Sequence, residues 1–181
     1  LMDHFQTMNI DALWLAFYCI STDLTASCEC VHRTRVLWLY VRAYMSLGPF
    51  IPPIRDQSDG GKKVHYLVDV GYVNLVPVDV MAKLWHPATV IAVDVANYEQ
   101  FGEHEYGDSF SGFRECILRC FKRGRKVPSM TDISSQLAFV TCMRDLPQKI
   151  SDHCDLFLHP PVGSYGTLDY DKHGDIREIG Y

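Results

Sequence analysis

The sequence predicts an α/β fold with a mainly parallel central sheet and flanking helices, on three observations. The runs "ALWLAFYCI" (12–20) and "ATVIAVDV" (88–95) are apolar without polar alternation, as strands covered on both faces are. Between them, apolar residues at 36, 37, 40, 41, 44 and 47 recur at helical spacing. Strand, helix and strand then follow in succession from 64 to 95, the order of a right-handed βαβ crossover.

Taken in order, "ALWLAFYCI" is closed by the turn-prone "STD" and reads as an inner strand. "TASCECVHRTR" puts Cys28, Cys30 and His32 on one face at strand periodicity. The helix from Val36 to Leu47 ends at "GPFIPP", because proline fixes φ and removes a donor. "QSDGGKK" (57–63) is a turn, "VHYLVDV" (64–70) a strand, and Val78 to Trp85 a short helix opened by Pro77. "ATVIAVDV" is the central parallel strand, and the polar stretch 97–109 is a loop. Helical spacing resumes at Phe113, Ile117, Leu118 and Phe121, and again from Ile133 to Met143. For that last helix, Ser129 and Asp132 make a capping box and Pro147 lies just past the end. "DLFLHPP" (155–161) is one more short strand.

Length and composition fit one domain: 181 residues, 48% apolar, 22% charged, with no linker and no repeat to divide them. Seventeen basic against 22 acidic residues give net −5, which argues against a nucleic-acid partner. Seven cysteines, at 19, 28, 30, 116, 120, 142 and 154, are odd in number and set in apolar stretches, the pattern of reduced thiols in an intracellular compartment. No segment reaches the roughly 18 apolar residues of a membrane span, and the opening "LMDHFQTMNID" lacks the order of a signal peptide. A first residue Leu rather than Met is what a piece of a longer polypeptide would show.

No G-x-S-x-G nucleophile elbow occurs; "GDSFSG" (107–112) and "GSYG" (163–166) break its spacing and read as loop chemistry. "CECVH" (28–32) lacks the second ligand pair of a zinc site, and Cys116 and Cys120 fit a core stripe, so neither metal nor cofactor is expected. The one dense basic run is Lys122, Arg123, Arg125 and Lys126, with Arg114 and Arg119 before it. Its bland reading is cations solvated at a helix C-terminus. Its functional reading is contact with anionic lipid headgroups, at about 1 kcal/mol per basic residue. Three acids, Asp23, Asp69 and Asp94, sit at strand ends, where open α/β sheets place their sites. Asp69, at the end of an apolar strand and near Gly71, best suits a base of raised basicity, with a turn cap as the alternative.

The segments "STDLTAS", "LWLYVRAYMSL", "PPIRDQSDG", "YLVDVGYVNLVPVDV", "TVIAVDV", "YGDSFSG" and "PPVGSYGTLDY" occur in this order along nearly the whole chain. Together they resemble the C-terminal part of the patatin-like phospholipase domain of the neuropathy target esterase (Swiss cheese) family. The resemblance implies an incomplete three-layer patatin-like fold, with residues 1–181 forming the C-terminal portion of one domain and the nucleophile-bearing part upstream. It also implies a lysophospholipase of the endoplasmic reticulum membrane surface, working by a Ser–Asp dyad on lysophospholipids. Asp69 matches the dyad acid, and Gly71 and Asn74 match the loop that supports it. Val70 stands where the family has Gly, so a positive φ there would strain a β-branched residue, and Leu75 replaces an Asn. The competing reading is a non-catalytic lipid-binding or regulatory patatin-like module.

Overall fold

The structure, a computed structural model, describes residues 1–47, 51–57, 63–96, 111–113, 117, 130–166 and 169–180. The chain divides into two compact units, Leu1–Pro77 with Ala138–Leu146, and Val78–Leu137 with Pro147–Tyr181.

The first unit holds helix α1 (Met2–Phe5), a 3-10 turn at Ile10–Ala12, strands β1 (Cys19–Asp23) and β2 (Cys28–His32), and helix α2 (Leu37–Tyr44). Strands β3 (Ile54–Asp56) and β4 (His65–Val68) follow, then a 3-10 turn at Val70–Tyr72. The four strands form one sheet in the order β2-β1-β4-β3, with every pair antiparallel. Helix α2 forms where the spacing predicts it and buries Leu37, Tyr40 and Ala43. These join Ile10, Cys19, Ile54 and Leu67 in a core where each large aliphatic side chain contributes about 1.5–3 kcal/mol.

The doubly covered strand predicted at 12–20 does not form over that length. The extended ladder begins only at Cys19, while Trp14 and Leu15 are 101% and 83% exposed. A continuous apolar run specifies neither its period nor its cover, and this one stays largely uncovered. The mainly parallel central sheet is likewise not what this unit shows. Residues 24–27 are the whole connection from β1 to β2, with Ser27 at φ 54, and a link so short permits only an antiparallel hairpin.

The second unit contains α3 (Val78–Trp85), β5 (Ile91–Val93), β6 (Leu156–Leu158), a 3-10 turn at Tyr170–Lys172 and α5 (His173–Ile179). Helix α4 (Met130–His153) runs through segments assigned to both units. Among the described residues, parallel pairing is confined to β5 and β6, with Ile91 opposite Leu156 and Val93 opposite Leu158. Among the described residues β4 pairs with β1 and β3, and β5 with β6, so neither sheet contains the predicted βαβ crossover. Pro147 lies inside α4 rather than beyond its end. Interior proline costs a helix about 3 kcal/mol. Cys142 and Leu146, four residues apart and buried, anchor the helix up to that point.

The polar stretch 97–109, Leu118, Phe121, Cys116, Cys120, Ser129, and the basic run with Lys122, Arg123, Arg125 and Lys126 lie outside the described residues. So do Arg114 and Arg119, and the centre of the turn at 57–63. No helix among the described residues is long and apolar enough to cross a membrane.

Candidate active site at the Asp69 turn

Strand β4 ends at Val68, and Asp69 caps the 3-10 turn that follows. Its backbone is held on both sides: its N–H donates to Ser46 O at 3.0 Å, and its carbonyl accepts from Thr22 Oγ1 at 2.7 Å. Its carboxylate reaches forward, where Oδ1 accepts the Gly71 N–H at 2.7 Å. Among the described residues, no donor reaches the other oxygen, Oδ2.

Burial raises the Asp69 carboxyl above its ordinary value, and the Gly71 N–H only partly opposes that. Nearby, desolvation first, then the Asp69 charge and the Cys19 thiol, push the Tyr44 phenol up. Burial pushes the Cys19 thiol itself to about 11. An acid with one oxygen fixed by a backbone N–H and its proton affinity raised can accept a proton from a hydroxyl.

The rest of the turn is built around it. The Gly71 carbonyl accepts from Cys142 Sγ of α4 at 3.1 Å, so both polar backbone atoms of Gly71 are engaged. Asn74, 3% exposed, donates its N–H to Val70 O at 3.0 Å and its side-chain Nδ2 to Glu29 Oε2 on β2 at 2.7 Å. Val70 is buried inside the 3-10 turn and is not among the non-glycine residues with positive φ, so the strain anticipated there does not arise. Leu75 is half-buried, its Cδ1 at 4.0 Å from where a Gly71 Cβ would stand.

Like Asp69, the other two strand-end acids accept backbone N–H groups of the turns that follow them. Because β1 and β4 are antiparallel, their C-terminal ends point opposite ways along the sheet. Asp23 therefore lies beside His65, the first residue of β4, and its Oδ2 pairs with His65 Nδ1. Asp23 Oδ1 accepts the Thr25 and Ala26 N–H groups at 2.8 and 3.2 Å. Burial alone would raise the Asp23 carboxyl, but His65 and the two N–H groups outweigh it and hold it below the usual range. Asp94, in the second unit, caps its own turn through Ala96 N at 2.9 Å. The described cysteines form no disulfide with one another, and no cluster of three metal-ligating side chains occurs among the described residues.

The sequence reading missed Thr22, Ser46 and Cys142, which hold the turn. Thr22 lies within the singled-out "STD", but nothing in the local pattern marks it for a partner 47 residues away.

Similarity to known proteins gives this site its context. No protein-family model matches the chain. Curated relatives do, and by homology over nearly its whole length the chain belongs to the patatin-like phospholipases of the neuropathy target esterase family. It is 40% identical to neuropathy target esterase sws of Drosophila melanogaster, over 99% of the chain. It is 42% and 40% identical to patatin-like phospholipase domain-containing proteins 7 of Rattus norvegicus and 6 of Homo sapiens, each over 98% of the chain. The chain spans 12% of the fly protein's length and 13% of each mammalian one's.

Proposed function

We propose that the chain is the acid-bearing portion of a serine lysophospholipase, with Asp69 the base of a Ser–Asp dyad whose serine lies upstream in a longer polypeptide. The observation that carries this reading is the state of the Asp69 carboxylate: Oδ1 is held by Gly71 N–H, while Oδ2 accepts no hydrogen bond from any described residue. Relatives named as phospholipases and esterases support an ester of a lipid as the substrate.

In the proposed cycle the serine Oγ attacks the acyl carbonyl of a lysophospholipid as its proton passes to Asp69 Oδ2. The proton then goes to the departing glycerol oxygen as the ester C–O bond breaks, leaving an acyl-serine. Water, losing its proton to Asp69, attacks the acyl-serine carbonyl; the proton returns to serine as fatty acid leaves. Burial suits Asp69 to both roles, because a carboxylate of raised basicity holds the proton more tightly than one in water.

In this reading the two units are parts of an incomplete three-layer patatin-like domain, and the parent protein works at the endoplasmic reticulum membrane surface. The basic run Lys122, Arg123, Arg125 and Lys126 is assigned in this reading to anionic headgroups there, on its charge alone. Among the described residues, no serine hydroxyl is hydrogen-bonded to the Asp69 carboxylate: Ser21 pairs with His32, and Ser46 donates to Arg42 O. The test follows directly. Purified alone, the chain releases no fatty acid from lysophosphatidylcholine, whereas the longest natural polypeptide that carries it does. Turnover by the 181-residue chain itself would refute the divided dyad.

A further inference from the structure

We propose that Thr22 is a positioning residue for the Asp69 carboxylate, acting through the Asp69 carbonyl; the functional meaning of this rests on Asp69 being the dyad base. The β1–β4 ladder pairs Asp23 with Leu67 and Thr22 with Val68. Past Val68 the backbone leaves the sheet, and the bond that continues the attachment is made by a side chain. Thr22, 7% exposed, sends Oγ1 to Asp69 O at 2.7 Å.

The consequence lies in which peptide groups become fixed. The Asp69 N–H is tied to Ser46 O just past α2, which sets the peptide before its Cα. Thr22 ties the peptide after it. With both planes held, φ and ψ rest at −48° and 144°, and the Cβ direction follows from them. From there Oδ1 meets Gly71 N–H at 2.7 Å, and Oδ2 accepts no hydrogen bond from a described residue. Without the Thr22 hydroxyl, the 69–70 peptide can rotate and carry the Gly71 N–H off the carboxylate. The side chain then swings toward water. Thr22 touches neither carboxylate oxygen, so its effect on the acid passes entirely through the backbone.

The experiment is a titration of the Asp69 carboxyl in the 181-residue chain, by NMR with ¹³C at the aspartate carboxyls and the signal assigned by its loss in Asp69→Asn. Thr22→Val keeps the shape and removes the donor; Thr22→Ser keeps the donor. Thr22→Val is expected to move the Asp69 midpoint down toward an ordinary aspartate, and Thr22→Ser to keep the wild-type midpoint. Ile10→Val, which loosens the core of the same unit from the 3-10 turn at Ile10–Ala12, is expected to leave the midpoint in place. If Thr22→Val does not fold, Thr22→Ala is read in the same way. An unmoved midpoint in the donor-less variant, a serine variant that fails to hold it, or an equal shift in Ile10→Val overturns the proposal. The titration is independent of the dyad: an Asp69→Asn enzyme that kept its turnover would remove the catalytic reading and leave this result standing.

Discussion

Gly71 gives its N–H to Asp69 Oδ1 at 2.7 Å, and a Cβ on Gly71 would stand 2.9 Å from that same oxygen. The glycine is needed for close approach, since its φ lies outside the left-handed region that favours glycine. In Gly71→Ala the atom that must yield is the end of a rotatable side chain, so the carboxylate turns away instead of the fold breaking. The expected stability loss is about 1 kcal/mol, the worth of one hydrogen bond. A urea midpoint together with the amide shift of residue 71 checks this. An unmoved amide shift in the alanine variant would show that the contact survives.

His32 gives the first unit an acid-labile core. It is buried against Tyr40, with ring centroids 3.9 Å apart, and its Nε2 shares a 2.7 Å hydrogen bond with Ser21 Oγ. Burial pushes its pKa from 6.5 down to about 4, although Asp56 and Asp23 pull the other way. A base depressed on folding binds its proton more readily when unfolded, so stability is complete above 6.5 and falls as pH drops toward about 4. The loss is on the order of 3 kcal/mol. Urea midpoints across that range should follow this slope, and His32→Gln should flatten it.

Asn74 clamps the turn to β2. Replacing it with Ala removes the 2.7 Å bond to Glu29 and should cost about 1.5–3 kcal/mol, the range for hydrogen bonds to charged groups. Asn74→Asp should cost more, because it sets two carboxylates against each other. Denaturation at pH 7 distinguishes the two variants; equal midpoints would contradict the clamp.

Strand β5 alternates sharply. Ala92 is 5% exposed, while Ile91 and Val93 are 60% and 56% exposed and stand on one face with Leu156 and Leu158 of β6. Val93→Lys should therefore change stability by no more than about 0.5 kcal/mol and raise solubility. Ala92→Lys should unfold the unit. Thermal melts with light scattering would show either outcome.

Elements whose cause is local were legible in the sequence. Pro77 marks the start of α3 at Val78, and the spacing of Val36, Leu37, Tyr40, Val41, Tyr44 and Leu47 marks α2. The place of Asp69 was legible too: the apolar run before it and the turn formers after it put it at a strand end, and it caps the turn that follows β4. What decides the rest acts at long range. Trp14 belongs to a run that any periodicity rule assigns to a buried strand, yet only tertiary packing determines its cover. Pro147 ends a helix by local rules, yet α4 continues through it. The bonds from Thr22 and Cys142 to the turn span 47 and 71 residues, and no short pattern announces a partner so distant.

The central claim is that Asp69 is the proton acceptor of an esterase. Its folded-state carboxyl is raised by burial, so its favourable contribution to stability is present below 3.8 and lost as pH rises through the folded value. An uncharged Asn still accepts the Gly71 N–H and escapes that penalty at pH 7. The most direct measurement is fatty-acid release from lysophosphatidylcholine by the longest natural polypeptide carrying this chain, wild type against Asp69→Asn, with a thermal melt of each. Turnover should fall by about 10²–10⁴-fold, the contribution of a general base, while the melting temperature stays level or rises. Turnover kept at the wild-type rate by a folded Asp69→Asn protein would contradict the claim.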